Sequence, residues 1–455
     1  ARGYWPGGTL IDTDHRDMGR ALALTEQALA SGATLLYEGT FSHDDILVRA
    51  DILRQVDDGT WHLIEVKSSS DIDKKLKEYI PDVGIQLHVL CECGLPVSRA
   101  FLMHLNKDYV HPGGPAYDLH ELFAARDLTA EAQSHIEREL PGNLAEFRRI
   151  LGDPEPPYAL VKNACRGDCD YSCEYCLPLE PDFRVTEMGR AWRVFDVFRE
   201  EGVDDLRDVS PENCPRAYEK LCRIKQAPIY LRMIDSVKRR ELVVAPGLAQ
   251  ALDEIEYPAH FFDFEGWGPA LPVLAGTKPY QQVPFQWSDH CLTGDGGLDH
   301  EGFLADGLGD PRREVAESLL ERLGDRGSVV VYHKDYEVGR LTDLADVFPD
   351  LADHLHAVVS RIVDLEPIVI DHVYHPHFHG SFSLKKVYPA LVVAGSGYDD
   401  LAIQQGDAAA QAYAELRLMD DGPGKKRLRE DMLAYCGMDT MAMVELYWEL
   451  GRLAG

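Results

Sequence analysis

Basic side chains are scarce in this chain of 455 residues, where 46 Lys and Arg stand against 77 Asp and Glu and the formal net charge is −31. A field of that sign argues against a protein that grips nucleic acid with its whole surface. It leaves room for acidic sites that load metal ions. Long apolar runs are missing too: none approaches the roughly 20 residues needed to span a bilayer, so a helical membrane protein is excluded. At 45% hydrophobic residues the chain is too apolar for a disordered polyanion. It has no internal repeat and no low-complexity tract. The opening Ala-Arg-Gly-Tyr-Trp carries neither an initiator Met nor a signal-peptide apolar region, so a fragment of a longer chain is expected. Length and composition together predict a globular, cytoplasmic protein of two to three domains with no membrane partner.

The ten cysteines are unevenly spread. Cys165, Cys169, Cys173 and Cys176 fall within twelve residues, closer than a disulfide framework needs, and a chain without a secretory signal meets a reducing compartment. Four thiolates within reach of one centre point to a metal, with zinc and an iron–sulfur cluster both open on spacing alone. Cys91, Cys93, Cys214, Cys222, Cys291 and Cys436 read as small apolar residues.

Changes of pattern predict an α/β protein in four parts. Residues 1–155 begin with a helical pattern over 14–30 that stops at Gly32. Two extended runs follow, 45–56 and 60–67, joined by the hairpin signal Asp57-Asp58-Gly59. The cysteine segment occupies 156–180. A helical stretch over 181–248 holds eight Lys/Arg between Arg216 and Arg240 against Glu219 and Asp235, so it is locally basic in an acidic chain. Residues 249–455 carry strand patterns at 260–265, 283–292, 300–304 and 328–333, and helical patterns at 312–323 and 426–450.

Two constellations of carboxylates stand out. In the hairpin, Asp51 lies seven residues before Asp58 and Glu65 seven after it, so a symmetric turn sets the two acids opposite each other. Opposed like charges destabilise a sheet, a conflict a divalent cation removes. Lys67 shares a face with Glu65. Farther on, Phe261-Phe262-Asp263-Phe264-Glu265 places two acids on one face of a strand, a costly arrangement beside buried aromatics. Tyr435 and Asp439 share a face of the last helix, and Glu337 falls where a helix begins after an apolar strand. Arg340, Ser383, Lys385 and Lys386 read best as solvated helix positions.

The order Glu38 after a helix, Asp51 and Glu65-X-Lys67 on strands, and Gln86 on a helix resembles the RecB-like branch of the PD-(D/E)XK nucleases. That resemblance implies that Asp51 and Glu65 bind Mg²⁺ or Mn²⁺, that Lys67 assists the attacking water, and that Gln86 and Glu38 complete the site. Leu90 stands where the branch often has Tyr. CRISPR-associated members carry a [4Fe–4S] cluster held by three cysteines just after the nuclease core and one before it, which implies that role for Cys169, Cys173 and Cys176, with Cys165 or a cysteine upstream of this sequence as the fourth ligand and Zn²⁺ the alternative to the cluster. The C-terminal constellation resembles the DEDD exonucleases of the ribonuclease H-like fold, tyrosine subtype. It implies that Asp263, Glu265, Glu337 and Asp439 hold two metal ions while Tyr435 orients water. Glu337 replaces the usual Asp, Asp335 is its possible substitute, and His333 stands where such families often have Asn.

Together these imply a restriction-endonuclease-like domain, a helical linker and a ribonuclease H-like domain, forming a two-site deoxyribonuclease that acts on single-stranded ends in DNA repair or defence. RNA remains open as a substrate. The basic stretch, Arg239 and Arg240 in particular, is expected to guide the phosphate backbone. Two other readings stand beside this one. One is a nucleic-acid-binding scaffold with weak sites, working with repair or defence proteins. The other is a radical-SAM enzyme, because Cys169-X3-Cys173-X2-Cys176 with Tyr175 has that spacing, although it does not open a barrel domain.

Overall fold

The computed structural model describes residues 1–154, 181–392 and 406–455. Among these residues the protein is mixed α/β, with sixteen α-helices and three sheets. None of the helices is long and apolar enough to cross a membrane. The chain forms two compact units, Ala1–Pro157 with Gly268–Gln281, and Tyr158–Trp267 with Gln282–Gly455.

The first unit contains β1 (Thr9–Leu10), α1 (Met18–Ala30), β2 (Leu35–His43), β3 (Ile46–Gln55), β4 (Trp61–Lys67), α2 (Leu76–Glu92), β5 (Val97–Leu105), α3 (Leu119–Leu122), β6 (Phe123–Asp127), α4 (Thr129–Arg138) and α5 (Leu140–Gly152). Its six strands lie in chain order, antiparallel except for the parallel pairs β1–β2 and β4–β5. Asp17 caps α1 by accepting the Arg20 N–H. The hairpin turns at Gly59, whose φ of 83° lies in the left-handed region that glycine enters without a Cβ clash. Val48, Ala50, Leu53, Leu63 and Leu102 of the sheet bury themselves against Val83, Leu87 and Leu90 of α2, which makes α2 the wall behind the hairpin. Glu38, expected just after a helix, instead lies within β2. The apolar Leu35-Leu36-Tyr37 run is a strand that follows α1 after a short turn.

The second unit contains α6 (Trp192–Glu200), α7 (Pro215–Cys222), α8 (Ala227–Arg239), β7 (Val243–Val244), α9 (Leu248–Leu252), β8 (Ala259–Trp267), β9 (Val283–Leu292), β10 (Leu298–Leu304), α10 (Arg312–Leu323), β11 (Val329–Val331), α11 (Asp335–Val347), α12 (Ala352–Val359), β12 (Ile362–Asp364), α13 (Leu365–His372), β13 (Val373–Tyr374), α14 (Leu384–Leu391), α15 (Gly406–Leu416) and α16 (Pro423–Ala454). Its main sheet runs β10-β9-β8-β11-β12, with β8, β11 and β12 parallel and β9 and β10 antiparallel. The stretch 181–248, expected as a linker, is built into this unit: Phe198, Leu206, Val237 and Leu248 share one hydrophobic cluster with Phe261, Val330 and Met443.

Alternation along β8 sets the chemistry. Phe262 and Phe264 pack with Trp287 against α10 and α11 on one face of the sheet. Phe261, Asp263 and Glu265 therefore point to the other face, toward α16. In an open α/β sheet the carboxyl ends of parallel strands are where a site forms, and those ends here carry Asp263 and Glu265 of β8, the loop after β11, and Asp364 of β12.

Candidate active sites

In the first unit, three neighbouring strands place three carboxylates in a row. Tyr37 pairs with Ile52 and Gly39 with Ala50, so Glu38 falls opposite Asp51; Ile52 pairs with Ile64, so the next step sets Asp51 opposite Glu65. Glu38 has a φ of 61°, unusual for a residue with a Cβ. Its carboxylate lies 3.3 Å from Arg49 Nε.

Asp51 accepts the Val66 N–H at 2.7 Å, but burial, the larger effect, together with the Glu38 carboxylate keeps its carboxyl above the usual range. Burial and the charge of Asp51 likewise push Glu65 up. Gln86 donates to Glu65 Oε2 at 2.8 Å, and Lys67 Nζ donates to Glu65 Oε1 at 2.7 Å and to Asp82 Oδ2 at 2.6 Å. Burial pulls the Lys67 ammonium down, yet the hydrogen bonds to Asp82 and Glu65 outweigh it and the net shift is upward. Glu38, Asp51, Lys67, Ser68 and Leu271 line a cleft of about 500 Å³.

The structure thus gathers Glu38, Asp51, Glu65, Lys67 and Gln86. It adds Asp82 and Arg49, which the sequence reading missed. Asp82 lies four residues before Gln86, so the shared face of α2 was the available signal. Leu90 is fully buried and belongs to the core.

In the second unit, Asp263 and Glu265 of β8 meet Glu337 of α11 and Asp439 of α16. Burial pushes Asp263 well up, helped by the charges of Asp439, Glu265 and Glu337. Glu265 is 7% exposed and rises to about 8 through burial and then the Asp439 charge, while the Lys385 ammonium opposes the shift. Glu337 is 2% exposed and also rises to about 8, from burial first and with the charge of Asp364 adding to it. One of its carboxylate oxygens, Oε2, has no hydrogen-bond partner among the described residues. Asp335 is exposed on the opposite side of the same turn, so Glu337 is the acid that faces the cluster.

Tyr435 is buried against the same acids, and burial with their charges pushes its hydroxyl up. Lys385 of α14 donates to that hydroxyl at 3.0 Å. Its place here differs from the solvated position expected for it. Arg340 lies over the Tyr336 ring and pairs with Asp343 at 2.6 Å. His333 takes a left-handed φ of 71°, and its backbone N–H and that of Lys334 donate to Asp364 at 2.9 and 3.1 Å, which fixes the turn into α11.

Two more residues escaped the sequence reading. The Tyr336 hydroxyl packs over Gly266, where an added Cβ would lie 2.0 Å from it. Cys436, fully buried, brings its Sγ to 3.8 Å from Asp263 Oδ2. Neither position carries a motif of its own.

The basic stretch is largely engaged. Arg216 pairs with Glu201, Arg223 with Glu219, and Arg239 with Asp235. Arg232 donates to the carbonyls of Ile370 and Asp371, and Lys238 to that of Val209. Among the described residues, Lys220, Lys225 and Arg240 have no ion-pair partner. Cys165, Cys169, Cys173 and Cys176 lie outside the described residues.

Comparison with known proteins reaches a domain family without an assigned role. Residues 260–383 match the family described as Domain of unknown function (DUF2779), a span that includes Asp263, Glu265 and Glu337. The chain is also similar to the uncharacterized protein MG366 homolog of Mycoplasma pneumoniae (strain ATCC 29342 / M129 / Subtype 1), 25% identical over 206 residues. That match covers 41% of this chain and 31% of the relative, so the chain spans under a third of the relative's length. No solved structure matches the chain.

Proposed function

We propose that the chain is a metal-dependent nuclease with two carboxylate centres, hydrolysing phosphodiester bonds of DNA and preferring single-stranded ends. The observation that carries this reading is the gathering of Asp263, Glu265, Glu337 and Asp439, four acids from three elements, within one another's field, with a buried oxygen of Glu337 that has no hydrogen-bond partner among the described residues. Carboxylates gathered this way raise one another's pKa and cost stability unless a cation lies among them. Their hard oxygens suit Mg²⁺ or Mn²⁺. When bound, such ions activate water and steady the leaving oxygen of a phosphodiester.

The chain's own groups have definable parts in that chemistry. Asp263, Glu265, Glu337 and Asp439 hold the ions in the second unit. Lys385 orients the Tyr435 hydroxyl, which positions the water. In the first unit Asp51 and Glu65 hold the ion, with Glu38 as a third acid. Gln86 fixes the Glu65 carboxylate, and the Lys67 ammonium offsets charge developing on phosphate. On this reading the first unit is a PD-(D/E)XK domain and the second a tyrosine-type DEDD exonuclease of the ribonuclease H-like kind. Arg240, among the cations without an ion-pair partner, is the better placed of Arg239 and Arg240 to meet a phosphate. The four clustered cysteines are proposed to hold a [4Fe–4S] cluster, which visible absorbance of anaerobically purified protein distinguishes from zinc.

A second reading makes the first centre a weak site that binds without cutting, because Lys67 is held by two carboxylates at once. Degradation of end-labelled DNA and RNA with Mg²⁺ or Mn²⁺, by variants disabled at one centre each, separates the two. The nuclease proposal requires that at least one centre cut, and an inert wild-type chain on both substrates would sink it.

A further inference from the structure

We propose that the acidic centre of the second unit is also a site for a thiophilic divalent cation of the zinc and cadmium kind, with Cys436 as a ligand beside Asp263 and Glu265. This deepens the reading of those acids as a metal centre and rests on it, although not on the site being a nuclease.

Cys436 is carried by α16 one residue after Tyr435, and its side chain turns toward β8. Its Sγ lies 3.8 Å from Asp263 Oδ2 and 4.0 Å from the Asp263 carbonyl oxygen. One ligand atom from each of Asp263, Glu265 and Cys436 falls within 4.8 Å of the others. Bond lengths of about 2.3 Å to sulfur and about 2.1 Å to oxygen, at a tetrahedral angle, separate the two donors by about 3.6 Å. The sulfur therefore needs to move by only a few tenths of an ångström to share a cation with Asp263.

The thiol is free rather than disulfide-bonded and is fully buried. The sequence explanation, a small apolar residue filling space, does not account for its neighbours, because an apolar filler would be packed among other apolar groups. Cys436 instead sits against a carboxylate, within the field of Glu265 and Asp439. A second, independent observation is Oε2 of Glu337, which has no hydrogen-bond partner among the described residues, on a residue 2% exposed whose charge acts on both Asp263 and Glu265.

A donor set of hard oxygens ranks the available divalent ions by charge and size. Adding a thiolate favours the softer ions over magnesium and manganese. The consequence is a centre in which zinc or cadmium displaces the hard ion, with the selectivity held by one side chain.

The test uses the full chain carrying Asp51→Asn, which silences the carboxylate centre of the first unit. Manganese is bound and followed by its paramagnetic resonance signal, and zinc is titrated in as competitor. Cys436→Ser, and Cys436→Ala as a second variant whose helical signal is compared with wild type, should keep manganese affinity while zinc competes about tenfold less well. Cadmium gives a readout that does not depend on manganese: the thiolate–cadmium ultraviolet absorbance of wild type should exceed that of Cys436→Ser, with the other cysteines common to both. Equal zinc competition in wild type and in folded variants, or no cadmium difference, overturns the proposal. In the first of those cases retained manganese binding leaves the carboxylate centre standing, and loss of manganese binding from every form removes that centre as well.

Discussion

Lys385 donates from Nζ to the Tyr435 hydroxyl at 3.0 Å, and its ammonium lies 5.1 Å from the centre of the same ring. One cation thus fixes the tyrosine of the last helix and, through its field, favours the ionised form of Glu265. Groups that orient a metal site from behind cost about 10–100-fold when removed. Lys385→Met is expected to lower the rate on end-labelled DNA by that factor, with partial rescue by Lys385→Arg. A rate within twofold of wild type would show that Tyr435 is positioned by something else.

The metal-free protein should become less stable as pH rises. Glu265 and Glu337 titrate at about 8 in the fold, above the ordinary carboxylate range near 4.5. Each group's contribution is therefore fully present below about pH 4.5 and is lost as pH climbs through 8. Melting in the presence of a chelator is expected to occur at least about 2 °C lower at pH 9 than at pH 6. Glu337→Gln should reduce that slope, and excess Mn²⁺ should restore stability at pH 9. A melting temperature that rose between pH 6 and pH 9 without metal would contradict the shifts.

Gly266 is required by what stands over it. A Cβ there meets the Tyr336 hydroxyl at 2.0 Å, so Gly266→Ala forces the ring away from the acidic centre at a cost of about 1–3 kcal/mol. Removing the hydroxyl should relieve most of the clash. Gly266→Ala with Tyr336→Phe is expected to melt above Gly266→Ala alone in denaturant titrations. If the double variant is no more stable than the single one, the clash lies elsewhere.

The hairpin that carries Asp51 and Glu65 was legible because Asp57-Asp58-Gly59 fixes the turn and a fixed turn fixes the register. The strand with Asp263 and Glu265 was legible for a similar reason, its alternation with Phe262 and Phe264 leaving one choice of face. Glu38 was misplaced because an apolar run after a helix does not announce a strand when its pairing partner comes later in the chain. Lys385 and Cys436 were invisible as site residues: what makes each matter is a contact across 50 or 173 residues, with Tyr435 and Asp263 respectively. The stretch 181–248 looked like a linker because its charges dominate the sequence, whereas its apolar face, which packs into the second unit, is spread over several short helices.

In the first unit, Gln86 is the only donor to Glu65 Oε2 among the described residues. Gln86→Leu leaves that buried oxygen without a partner and should cost about 1–3 kcal/mol in urea unfolding. Mn²⁺ affinity of this centre should fall about 10–100-fold, read by calorimetry in an Asp263→Asn background that silences the other centre. Unchanged affinity would mean that Glu65 is not a ligand.

Dependence of cutting on these two carboxylate centres is read on end-labelled single-stranded DNA with Mn²⁺. Wild type should degrade the strand, each of Lys67→Ala and Asp263→Ala should remove activity at its own centre, and the double variant should be inert while keeping its folded circular-dichroism spectrum. A double variant that degrades DNA as fast as wild type would contradict the account.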